Sequence, residues 1–172
     1  MLTRMIGVAS MRRETFQEIK DDRSRLANGE ALLVAVLAGL SLGIGVVISF
    51  FDALDIYSSI GEIFTAIALV ILAAVFWAGA IFLIGTRVFK GTTDFLGLAR
   101  PVFFSLTPGL FFVLTANSTI REFVSAVLVI WIIVINVFVL KQVMSISGQR
   151  SLLTVIFGIW IMIFLVGVLA AF

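Results

Sequence analysis

Residues 31–51 read ALLVAVLAGLSLGIGVVISFF, without one charged side chain. At 1.5 Å per residue a helix of that length spans about 30 Å, the thickness of a bilayer's hydrocarbon core. Four more apolar segments follow, at residues 63–86, 101–115, 123–140 and 151–172. Lipid offers no water to backbone groups, so a chain built this way must satisfy them internally, as helices do. The whole sequence is 62% hydrophobic and 13% charged, where soluble domains lie near half and a quarter; little soluble mass is left. The expected fold is an all-α integral membrane protein, a five-transmembrane-helix bundle with a short N-terminal amphipathic helix. Residues 1–29 form a cytoplasmic lead-in and 30–172 the bundle.

The lead-in mixes Arg4, Arg12, Arg13, Lys20, Arg23 and Arg25 with Glu14, Glu18, Asp21 and Asp22. Arg4 interrupts the first ten residues, which are too short for a signal-peptide core. Phe16, Ile19, Arg23 and Leu26 recur at helical spacing. They predict one amphipathic helix on the membrane surface, N-capped by Ser10 and ended by Asn28-Gly29, with basic groups toward lipid head groups. It serves either as a positive lead-in or as a docking element for a partner.

Charge also sets orientation. Arg87, Lys90 and Arg100 fall between the second and third spans, and Lys141 and Arg150 between the fourth and fifth. With five spans these share a side with the lead-in, whereas the opposite loops hold only Arg121 as a base. The positive-inside rule then places the N-terminus in the cytoplasm and the C-terminus outside.

Within the spans, small and polar residues carry the information. Ala31, Ala35, Gly39 and Gly43 fall four apart and form a stripe on which a second backbone can approach closely, within the chain or across a homodimer. The second span is opened by Glu62 and is alanine-rich; its Trp77 is either buried or faces lipid at depth, and burial is the favoured reading. Residues 101–115 cover only about 23 Å as an α-helix and contain Pro108. They form a kinked, thin span or a re-entrant pair, with Ser105 and Thr107 placed to re-satisfy freed carbonyls. Asn136 lies near the centre of the fourth span, either as a substrate contact or as an interhelical hydrogen bond. Asp52, Asp55 and Glu62 lie at the outer mouth as ordinary loop acids or a cation-attracting vestibule. The sequon Asn117-Ser118-Thr119 lies too close to the membrane for the transferase.

Chemistry is narrowly bounded. There is no Cys and no His, which removes thiol nucleophiles and nearly every zinc, copper or haem site. No serine has a base partner, no glycine loop cradles a phosphate, and Asp21-Asp22 and Asp52/Asp55 lack the framework of metal-held phosphate chemistry. The reading is not an enzyme, with no catalytic residue, cofactor or metal, and no nucleic-acid partner.

Several weak signals form an ordered set. Trp77, Gly85, Lys90-Gly91, Thr92-Thr93, Phe95 and Pro108 follow one another across residues 76–108. Arg13-Glu14-Thr15-Phe16-Gln17-Glu18-Ile19 precedes them, and Trp131, Lys141 and Ser147-Gly148-Gln149-Arg150 follow. This order resembles the Yip family, the Ypt-interacting-protein membrane domain, in its small prokaryotic-type members, from about Arg12 onward. The resemblance implies five helices and a role without catalysis: eukaryotic members act in vesicle traffic, bind lipidated Rab-type GTPases and form hetero-oligomers. The family's Tyr-Gly-Pro motif is absent, since Tyr57 is the only tyrosine and neither Pro101 nor Pro108 follows a glycine. The long soluble N-terminal region of eukaryotic members is missing too. These departures count against Rab binding and favour a prokaryotic cell membrane. The expected role is a scaffold or adaptor in membrane organisation, with the lipid bilayer and a membrane-protein partner or homo-oligomer around it. The alternative is a small oligomeric transporter or channel subunit, for a lipid or apolar substrate.

Overall fold

The structure, a computed structural model, describes residues 1–51 and 55–170, with side-chain surroundings through residue 164. Seven α-helices form it: α1 Leu2–Ala9, α2 Arg13–Asp21, α3 Arg25–Ser49, α4 Ile56–Leu83, α5 Phe95–Phe104, α6 Arg121–Val143 and α7 Gly148–Ala170. A π-helical turn, Ile84–Val88, extends α4, and a 3-10 helix, Thr107–Ala116, continues the line of α5. No strand occurs among the described residues. Four of these helical segments are long and apolar enough to cross a membrane: Arg25–Ser49, Ile56–Val88, Phe95–Ala116 and Arg121–Val143. The described part of α7 is apolar as well.

The helix α3 is packed by α4, α5 and the 3-10 helix, and it is small-sided on two faces. A Cβ on Gly39 would stand 2.6 Å from Ile67 Cα, and one on Gly43 would stand 2.8 Å from Ile63 Cα. Those two glycines therefore let α4 approach backbone to backbone. On a neighbouring face, a Cβ on Gly45 would lie 3.1 Å from the Phe112 carbonyl, and one on Gly109 would lie 2.9 Å from Ala38 Cβ, so the 3-10 helix nests there. Ala31 and Ala35 are also buried. All four members of the predicted stripe are thus covered by their own chain.

The third segment corrects an expectation. It begins at Phe95, not residue 101, because the Asp94 carboxylate accepts from Gly97 N–H and caps α5. Ten α-helical residues followed by ten 3-10 residues, the latter rising about 2 Å each, reach about 35 Å, enough to cross the hydrocarbon core. Arg100 therefore lies inside α5 and is buried, not in the connection between the second and third spans. The second segment likewise starts at Ile56, where Asp55 Oδ1 accepts from Ser58 N–H at 2.7 Å. That bond holds the Asp55 carboxyl below its ordinary value. Glu62 sits two turns inside α4 and is exposed, so it does not open the helix. Asp52 lies outside the described residues.

The N-terminal region is also different from the single surface helix expected. Ser10 does not cap α2; its hydroxyl donates back to the Ile6 carbonyl at the end of α1. Ser24 caps α3 by accepting from Ala27 N–H, which draws Asn28 and Gly29 into that helix instead of ending one there. The apolar face of α2 meets protein, not lipid: Phe16 and Ile19 are fully buried. Arg13 Nε donates to Gln142 Oε1 (2.9 Å) and Gln17 to the Gln142 carbonyl (2.6 Å). Arg4 ties the pieces together, bonding Glu18 through Nε (2.9 Å), Asp22 through Nη2 (2.7 Å) and Glu30 through Nη1 (2.9 Å).

Two outcomes follow from this packing. Gly39→Val, which drives a branched side chain into the α4 backbone, lowers unfolding stability in detergent by about 1–3 kcal/mol or more, read from the thermal midpoint. The second concerns pH. Ser24's backbone N–H and hydroxyl, then Arg4, hold the Asp22 carboxyl down to about 2. A lowered carboxyl stabilises the fold above its ordinary value of 3.8 and loses that effect as pH falls through the folded value. Hydrogen exchange over residues 2–21 therefore accelerates as pH drops across this window, once corrected for the intrinsic pH dependence of exchange. Arg4→Gln produces the same loosening at neutral pH, with the membrane helices unchanged.

Candidate functional site

The polar residues inside the bundle converge on one point. Trp77, on α4, donates its indole N–H to Asn136 Oδ1 on α6 at 3.0 Å. The Asn136 amide nitrogen donates to Ser105 Oγ at the end of α5 (2.9 Å) and to the Ile132 carbonyl one turn back (2.8 Å). An indole only donates, so the amide oxygen must face it, and this fixes the orientation of the side chain. Ser105 passes its own proton to the Val102 carbonyl (2.6 Å). Asn136 and Ser105 are 1% exposed, so this chain of bonds is largely buried, and it joins three helices.

Around it, the irregular third segment is closed by neighbours. Thr107 Oγ1 donates to the Phe104 carbonyl, the role its position suggested. Ser41 has a role that its position in an apolar run does not suggest. From α3 its hydroxyl donates to the Leu110 carbonyl (2.8 Å) and accepts from Val113 N–H (3.0 Å). At the far end Arg121 Nε donates to the Thr115 carbonyl and Nη2 to Ser49 Oγ. Every fully buried side-chain nitrogen or oxygen among the described residues has a partner.

The turn after α4 docks on the α6–α7 connection. Gly91 N–H donates to the Gly85 carbonyl (2.9 Å), and Thr92 N–H to the Met144 carbonyl (3.2 Å). A Cβ on Gly85 would meet the Met144 thioether at 2.5 Å, and one on Gly91 would stand 3.0 Å from Met144 Cβ. Lys90, between them, is held at φ +56°, a left-handed conformation unusual for a lysine. Phe95 packs edge-on against Phe82, ring centres 5.6 Å apart. Pro108 is buried in the first turn of the 3-10 helix, where its missing N–H costs nothing. Trp131 donates its indole N–H to the Ala9 carbonyl (3.1 Å) and so fastens α1 to α6.

The residues singled out along the chain thus form two contacts, not one. Trp77, Ser105 and Asn136 meet in the interior; Gly85 and Gly91, which flank Lys90 on the turn, meet Met144 at the end of the bundle where α2 also docks. Trp131 belongs to the N-terminal attachment instead. No group of three or more acids among the described residues could hold a metal ion.

Asn136→Leu removes both interhelical bonds of the amide and leaves the Trp77 N–H unpaired. The expected loss is about 1–3 kcal/mol. In a double-mutant cycle Trp77→Phe and Asn136→Leu couple by about 0.6–2 kcal/mol; additive effects on the thermal midpoint would show that the bond contributes nothing.

Comparison with known proteins follows the same outline. No curated protein and no solved structure matches the chain. The family profile described as Yip1 domain matches residues 6–171, which takes in both contacts and every helix after the first half of α1. This is an integral membrane protein, and it belongs to the Yip1-domain family.

Proposed function

We propose that this protein is a non-enzymatic scaffold or adaptor of a prokaryotic cell membrane. In this reading it crosses the bilayer five times, with α7 as the fifth span, the N-terminus in the cytoplasm and the C-terminus outside. The observation that carries the reading is the closed state of the polar interior. Asn136, a polar group near the middle of its span that could meet a substrate, has its amide engaged by Trp77, Ser105 and Ile132. Its chemistry fixes helices in place. Orientation is supported by the contacts among basic segments: α2 reaches Gln142 and the Lys90-Gly91 turn reaches Met144. The lead-in and both basic connections therefore gather at one end, the end the positive-inside rule assigns to the cytoplasm.

A membrane-protein partner would complete such a scaffold. Its lipid-facing helices present the surface for this; the α3 stripe, covered by α4 and the 3-10 helix, does not. The absent Tyr-Gly-Pro motif counts against Rab-type GTPases as partners.

A second reading, a small transport subunit for a lipid or apolar substrate, draws on the 3-10 helix Thr107–Ala116, since interrupted helices line pathways in many transporters. Ser41 weighs against it by sealing that segment to α3.

Extraction from native membranes into polymer nanodiscs, followed by mass spectrometry of the particle, tests the two readings. The scaffold predicts a reproducible stoichiometric protein partner. A homo-oligomer that carries no partner would favour transport. Cysteines placed at Ser105, Thr107 or Asn136 stay unlabelled by a membrane-impermeant thiol reagent if the interior is closed, and react if it is a pathway.

A further inference from the structure

Among the described residues Arg100 is a buried charge that the packing leaves without a counter-charge. It is 6% exposed and lies in the middle of α5. Its Nε donates to Asn28 Oδ1 and its Nη1 to the Asp22 carbonyl, both at 2.6 Å. These bonds hold the α2–α3 connection against α5, but both acceptors are neutral. The ion pairs among the described residues all belong to Arg4 or the terminal amine, and the Asp22 carboxylate is already engaged by Arg4 and Ser24. A buried guanidinium with no anion beside it is costly unless something supplies one.

Among the described residues the Nη2 group has no hydrogen-bond partner, although every fully buried side-chain nitrogen there has one. It therefore borders open space. Arg100 lines a groove of about 280 Å³ between the N-terminal part of α3 and α5, together with Asn28, Leu32, Leu96, Ala99 and Phe103. Its walls are largely apolar, and Leu32 and Leu96 on its rim are about half exposed. The groove lies where α3 begins, at the basic end of the bundle. Exposed Arg23 and Arg25 flank the same α2–α3 connection.

We propose that this groove binds the phosphodiester headgroup of an anionic phospholipid. Arg100 is the phosphate ligand, and Leu32, Leu96 and Phe103 lie against the lipid's apolar part. A guanidinium fork matches phosphate geometry and is less strongly hydrated than an ammonium, so it suits a site that is half buried. A basic pocket between membrane helices near the cytoplasmic surface is where anionic headgroups are met. The two internal bonds of Arg100 leave its outer edge for the ligand and keep the side chain from folding back. Bound lipid would supply the missing anion and brace the joint between the N-terminal helices and the bundle. This inference does not depend on the scaffold reading.

The test is lipid binding to the full chain, followed by native mass spectrometry in titrations with phosphatidylglycerol and with phosphatidylcholine. Phosphatidylglycerol is expected to bind more tightly, at one molecule per chain before weaker sites fill. Arg100→Gln should lose this preference but also loosens the α2–α3 connection. The decisive variant is Leu96→Glu, which puts a negative charge on the rim without touching either internal bond of Arg100. It should weaken phosphatidylglycerol binding about tenfold with the thermal midpoint unchanged, while Leu96→Gln retains most of it. Equal affinity for the two lipids overturns the proposal, as does equal loss in Leu96→Glu and Leu96→Gln. Displacement of the lipid by inorganic phosphate at comparable concentration also overturns it, because the site would then belong to a free anion.

Discussion

A backbone amide inside a bilayer has no water to turn to, and the third membrane segment is where this chain meets that constraint most severely. Pro101 removes a donor inside α5, and the change from α to 3-10 geometry after Phe104 redirects the carbonyls. The bundle is built to absorb this. Ser105, Thr107 and Thr115 bond back to carbonyls within the segment, Ser41 reaches in from α3, and Arg121 closes the far end. In a solvated protein such a segment could be a loop; here it has to be surrounded. Most of Leu98 to Gly109 is accordingly buried, in a protein whose other spanning helices keep wide lipid-facing surfaces.

Surrounding it sets the requirements on α3. One helix must come close to α4 on one side and to the 3-10 helix on the other, and only small residues allow both. Gly39 and Gly43 serve the first contact; Ala38, Ser41 and Gly45 serve the second. Once α3, α4 and the third segment are fixed, Trp77 and Ser105 stand on either side of α6, and Asn136 bridges them. The interior hydrogen bonds then select one rotation of α6, since a rotation by one residue would leave the amide and the indole unpaired in lipid. The N-terminal helices add an outer clamp, through Arg4 and through Trp131 to Ala9.

Much of this was legible in the sequence, for reasons that differ by residue. The apolar segments declare themselves because lipid leaves few alternatives, and the small-residue stripe declares itself by its spacing. Asn136 stood out because an amide in mid-span is expensive. Its partners did not, since which face of α4 carries Trp77 toward α6 depends on tertiary packing. The segment ends were misplaced where capping decided them: Asp94, Asp55 and Ser24 start their helices several residues before the apolar run begins. Arg100 was read as a loop charge because charge usually marks a loop, whereas here neutral acceptors from Asp22 and Asn28 hold it in a helix. Ser41 gave no signal, because a serine in an apolar helix looks the same whether it bonds its own helix or another.

The picture that results is a bundle with its polar chemistry turned to holding helices together and the polar groups of its irregular segment paired, while Phe111 and Leu114 of that segment stay exposed. Family membership and this closed interior both agree with a protein that acts through what it gathers in the membrane. The most direct measurement is backbone hydrogen exchange of residues 105–116 in nanodiscs, resolved by mass spectrometry. A closed interior predicts slow exchange throughout the 3-10 helix, comparable to that in the middle of α3, and faster exchange there when Ser41 is replaced by alanine. Fast exchange in the unaltered protein would place water along the third segment, and the account of a closed scaffold would fail.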